Sequence, residues 1–168
     1  VLVEGEVTVW DTLAIVEYAA ERFPEAHLWP REAPARARAR SVCAEMHAGF
    51  MALRSACGMN IEASLPEVGQ IIWRDRTGVR ADVARIVAMW QQLLAEHGGP
   101  MLFGRFTAAD AFYAPVVMRL KTYALPVPQD VAAYMERVCA LPGVKAWIDE
   151  ALAERSFVPF DDPYRAGR

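Results

Sequence analysis

Two short runs of this sequence place polar side chains where they could do chemistry. In Val9-Trp10-Asp11-Thr12-Leu13, an acid and a hydroxyl stand where a β-branched run gives way to helical spacing. A helix N-terminus presents unpaired N–H donors and the positive end of the helix dipole, so Thr12 there could hold a carboxylate. Asp11 beside it could hold an ammonium group. Together they would suit the two charged groups of an α-amino acid. The plainer alternative is that Asp11-Thr12 only caps the helix, since Asp and Thr oxygens accept those same N–H groups. The second run is Phe106-Thr107-Ala108-Ala109-Asp110, a hydroxyl with an acid three residues later ahead of an apolar helix. That spacing is a structural capping box, each side chain serving the other's backbone N–H. Replacing Asp110 should cost roughly 0.5–2 kcal/mol.

Other chemistries find no support. His27, His47 and His97 are far apart and lack the paired spacing of a metal site, so no metal is expected. Gly-x-Ser-x-Gly, Gly-x-x-x-x-Gly-Lys and Gly-x-Gly-x-x-Gly are all absent. Cys43, Cys57 and Cys139 are widely spaced, without Cys-x-x-Cys. They read as free thiols in a reducing cytoplasm, with Cys43 and Cys57 as small buried hydrophobes.

The elements that must position these runs follow from periodicity. Residues 1–10 alternate as a hairpin with a turn at Glu4-Gly5. Leu13, Val16, Ala20 and Phe23 then recur at helical spacing until Pro24. A proline-rich stretch from Glu25 to Pro34 reads as a linker. Helical patterns follow over 35–56, 65–73, 79–97, 107–125, 130–140 and 144–155. The fold class is mainly all-α, a helical bundle preceded by a β-hairpin–helix that reads as the remnant of a small sheet. A lone hairpin is marginal, so its sheet partners are expected ahead of Val1.

The composition agrees. The chain has 168 residues, 54% of them hydrophobic, enough for one domain with a sizeable core. Its 18 basic and 21 acidic side chains leave a net charge of −3, which offers no footprint for nucleic acid or an anionic membrane. No apolar run approaches the ~20 residues of a membrane span, and no signal-peptide pattern is visible.

The acid–hydroxyl junction and the capping box, in this order and separation, resemble the back part of a glutathione S-transferase. Val7–Pro24, the run Ala44-Glu45-Met46-His47-Ala48-Gly49-Phe50, and Phe103–Pro115 are similar to a bacterial branch of that family. The resemblance implies that residues 1–24 end a thioredoxin-like glutathione-binding domain. Residues 25–34 would link it to an all-helical domain over 35–168. It implies glutathione as co-substrate, with Thr12 holding the γ-glutamyl carboxylate and Asp11 facing the amino group. Val1 would open the strand that pairs with the cysteinyl part. The family's cis-proline and its catalytic Ser, Cys or Tyr are expected before Val1.

The implied chemistry is attack of the glutathione thiolate on a small hydrophobic electrophile, a detoxification reaction. His47, Phe50, Met51 and Arg54 would line the electrophile pocket. Each has a bland alternative: Phe50 and Met51 as core, His47 as an interior or interface histidine, Arg54 as a solvated charge. A homodimer follows by analogy. A non-catalytic interaction module and a glutathione-dependent thiol reductase are the alternatives.

Overall fold

The computed structural model describes residues 1–155 and Tyr164, so the end of the expected 35–168 domain lies outside the described residues. Strands β1 (Leu2–Glu4) and β2 (Val7–Val9) pair antiparallel, with Leu2 opposite Val9, Val3 opposite Thr8 and Glu4 opposite Val7. The turn is Gly5-Glu6, one residue later than the sequence suggests, with Gly5 at φ 59°. Among the described residues no further strand joins this sheet. The hairpin is tied instead to helix α1 (Thr12–Arg22). Glu4 accepts hydrogen bonds from Tyr18 at 2.7 Å and from Arg22 at 2.6 and 3.3 Å, residues one turn apart on that helix.

A single 3₁₀ turn (Pro24–Ala26) follows, and Trp29 buries itself as the linker's anchor. The Leu28 carbonyl accepts from Ala108 N–H at 2.8 Å, which ties the linker to the start of α6 (Ala108–Thr122). Helix α2 (Ala33–Ala48) runs antiparallel to α1, because Arg40 grips Glu17 through two 2.7 Å bonds while His47 faces Asp11.

The single helix expected over 35–56 is broken. Gly49 ends α2 in an extended conformation, Phe50 turns left-handed at φ 56°, and α3 (Met51–Ala56) starts afresh. A Cβ at Gly49 would lie 2.6 Å from the Glu45 carbonyl oxygen, so the sharp exit needs glycine. Asp82, on helix α5 (Thr77–His97), supports the restart by accepting from Leu53 N–H at 2.9 Å. Apolar periodicity continues across the break and conceals it.

Helix α4 (Pro66–Asp75), α7 (Gln129–Ala140) and α8 (Pro142–Glu154) complete the bundle. Pro66 and Pro142 both sit in the first turn, where a missing N–H costs nothing, and α8 therefore begins ahead of the expected Val144. Ten of the fifteen residues of α6 are buried, which makes it the central helix. Tyr113 from α6 and Tyr134 from α7 pack edge-on against Trp90 of α5, with ring centroids 5.5 and 5.0 Å away.

Candidate functional site

At the start of α6 both halves of the capping box form. Thr107 N–H donates to Asp110 at 2.8 Å. Asp110 is fully buried and also accepts from Leu102 N–H and from the Tyr134 hydroxyl, each at 3.1 Å. Burial pushes its carboxyl above the usual carboxylate range, and these bonds oppose that shift. Asp110 thus joins a loop, the α6 N-terminus and α7. Its role is structural, and it reaches further than a cap.

The second acid–hydroxyl pair has a different character. Asp11 stands at φ 72° and ψ 138°, a positive-φ backbone outside the left-handed helical basin and strained for a residue with a side chain. Its Oδ1 accepts from Leu13 N–H at 2.8 Å, so it does cap α1. Its Oδ2 lies 3.2 Å from His47 Nε2 on α2. Thr12, next in line, is exposed, and among the described residues neither its hydroxyl nor its backbone N–H has a hydrogen-bond partner.

Thr12 opens on a cleft of about 280 Å³ where α1, α2, α3 and α6 converge. Val16, Met46, Ala111, Phe112 and Pro115 supply apolar walls, while Thr12, His47 and Arg54 supply the polar ones. Arg54 Nη1 donates to the carbonyls of His47 at 3.1 Å and Gly49 at 3.4 Å, at the negative end of α2. The structure therefore brings His47 and Arg54 to the cleft beside Thr12.

The other expected site residues are elsewhere. Phe50 is only 7% exposed and packs against Tyr113 at 6.3 Å, a core residue placed there by the break after α2. Met51 is 59% exposed and lies outside the cleft lining. Val1 is exposed, one residue ahead of β1. Burial raises Cys57 to about 11 and Cys43 to about 12, so neither thiol is a neutral-pH nucleophile.

A family model for the glutathione S-transferase C-terminal domain matches residues 33–150. The chain belongs to the glutathione S-transferase family. It is similar to glutathione S-transferase 1 of Dianthus caryophyllus, 28% identical over 120 residues that cover 70% of this chain and 52% of that protein. The chain thus spans about half the length of that curated relative. Among solved structures, it resembles a glutathione transferase homolog from Burkholderia gl BGR1 with bound glutathione. The TM-score is 0.63 at 25% identity, covering 89% of this chain and 71% of that one.

For a member of this family, the cleft walls supplied by α6 and the Asp11–His47 contact were the features missed in the sequence. Charge spacing carried a usable signal for the contact. Asp11 and Glu17 on one helix match His47 and Arg40 on the next in reverse order, the pattern of antiparallel neighbours.

Proposed function

We propose that the junction at Asp11-Thr12 binds the γ-glutamyl end of glutathione, and that the cleft beside it receives the electrophile of a glutathione transferase. The free hydroxyl and N–H of Thr12 at the positive end of α1 are the observation that carries this reading. Asp11, fixed by Leu13 and His47, would meet the ammonium group with the acceptor capacity its two oxygens retain. In the reaction, the thiolate sulfur bonds to the electrophilic carbon while the leaving group departs with its electron pair. The apolar walls suit a small hydrophobic partner. Glutathione in the Burkholderia homolog supports the co-substrate; a cytoplasmic homodimer remains part of the proposal by family analogy.

The second reading is a non-catalytic module of the same family. It is favoured by the engagement of the Asp11 carboxylate within the protein itself, as helix cap and His47 partner. Calorimetric titration of glutathione separates the two. The double variant Asp11→Ala, Thr12→Ala should bind about tenfold more weakly or worse, since hydrogen bonds to charged groups are lost. Equal affinity in both proteins sinks the half-site.

A further inference from the structure

Arg54 is held in an unusual state for a surface-proximal cation. Both bonds that fix it leave from Nη1, to the carbonyls of His47 and Gly49. Among the described residues no carboxylate pairs with it, and nothing bonds its Nε or Nη2. That free Nε–Nη2 edge is the fork that receives a carboxylate through two parallel bonds. Among the described residues no acidic side chain lines the cleft, so no lining carboxylate offsets the charge at that wall. The remaining walls are mostly apolar, supplied by Phe112 and Pro115 of α6 with Met46 and Val16.

The other cavities among the described residues differ in this respect: in the 570 Å³ cleft beside α3, Arg76 shares the lining with the carboxylate of Asp75. The 350 Å³ cleft beside Trp29 has arginines too, but Arg40 is taken by Glu17, Arg36 by the carbonyls of Pro30 and Arg31, and Arg31 by the His27 ring. The 380 Å³ cavity between Phe106 and Trp147 has, among the described residues, no charged side chain in its lining. A fixed, unpaired guanidinium edge on an apolar cleft occurs at Arg54.

We infer that the cleft selects a second substrate built as an apolar body bearing a carboxylate, and that Arg54 is the residue that reads the carboxylate. The ligand's role as co-substrate rests on the function proposed above; its chemistry rests on Arg54 and the cleft. Thr12 then serves the carboxylate of glutathione and Arg54 that of the partner, so two anions are kept apart by two donor sets.

The test is titration calorimetry of the full chain with 4-phenylbutyrate and with 4-phenylbutanamide, which share an apolar body and differ in charge. The acid should bind about tenfold tighter than the amide in the wild-type protein. Arg54→Gln should bring the two within about twofold, and Arg54→Lys should keep part of the preference, as a point charge without the fork. Equal wild-type affinities, or no binding of either probe, overturn the inference without any variant. A preference that survives in a folded Arg54→Gln protein overturns the assignment to Arg54.

Glutathione titrated into the same proteins distinguishes this idea from the one beneath it. Arg54→Gln should leave glutathione affinity within about twofold. A loss equal to that for the acid would assign Arg54 to glutathione itself and overturn the inference. If glutathione fails to bind the wild type while the Arg54-dependent preference holds, the proposed function falls and the acid site stands.

Discussion

The first 24 residues and the bundle behind them are held by different forces. In α1 no residue is buried, and Val1, Val3 and Trp10 are 86, 68 and 69% exposed. What fixes this front segment is mostly polar and exposed, Glu4 with Tyr18 and Arg22, Glu17 with Arg40, Asp11 with His47, and its apolar share is the half-buried Leu13, Val16 and Ala20 that α1 lays against the core. The bundle is held by burial, with Trp90, Tyr113 and Tyr134 interlocked around α6 and an acid sealed inside. Exposed ion pairs contribute little each, roughly 0–1 kcal/mol, whereas a buried core side chain contributes about 1.5–3 kcal/mol. The lesson is a division of labour. The bundle makes the molecule stable, and the front segment aims donors into a cleft whose other walls the bundle provides.

The strongest way to break that contrast is Asp110→Ala. It would leave Leu102 N–H, Thr107 N–H and the Tyr134 hydroxyl buried without their acceptor. At about 1 kcal/mol or more for each orphaned donor, the expected loss is about 3 kcal/mol, and the melting temperature should fall by roughly 10 °C. That exceeds the 0.5–2 kcal/mol expected from a helix cap alone. Tyr134→Phe, which removes one of those donors, should cost about 1 kcal/mol. Thermal melts followed by circular dichroism would decide. A fall of only a degree or two for Asp110→Ala would reduce Asp110 to an ordinary cap.

A smaller effect in the same region is expected at Gly69. A Cβ there would lie 1.7 Å from the Tyr123 carbonyl oxygen, because α4 packs directly on the backbone that follows α6. Leu65 N–H donates to the Thr122 carbonyl at 2.7 Å and pins the same contact. Gly69→Ala improves helix propensity by about 1 kcal/mol yet should destabilise the protein by about 2 kcal/mol, since backbone cannot yield as a side chain can. A lowered urea midpoint is the expected reading. An unchanged or raised midpoint would mean that α4 is free to move.

The same contrast explains what could be read from the sequence. Helices whose apolar face repeats at 3–4 residues and meets a core, such as α5 with Val83, Ile86, Trp90 and Leu93, were legible because burial enforces the period. So was the box at Thr107 and Asp110, whose spacing alone specifies its bonds. The end of α2 was not legible, because Phe50 keeps the apolar period while Gly49 breaks the backbone. Nor was the cleft, whose walls come from four helices distant in the chain. Thr12, His47 and Arg54 could be named from the sequence, whereas their convergence is a property of packing. Phe50 and Met51 would stay near them on one continuous helix over 35–56, and the break sends them elsewhere.

The smallest expected effect is confined to the front segment and would sharpen the contrast most directly. Hydrogen bonds from Arg22 and then Tyr18 hold the Glu4 carboxyl down at about 2, from an ordinary 4.5. A carboxyl with a depressed folded pKa contributes stability that is present above its unfolded value and lost as pH falls through the folded one. The clamp should therefore hold above about pH 4.5 and release progressively toward pH 2. Hydrogen exchange or amide shifts at Val3 and Thr8 should report hairpin opening across that window. The groups are solvent-exposed, so added salt should weaken the clamp. Glu4→Gln should open the hairpin at neutral pH and remove this dependence, while amides in α6 stay protected. Simultaneous loss of protection in β1 and α6 would show that the two regions do not differ as their packing implies.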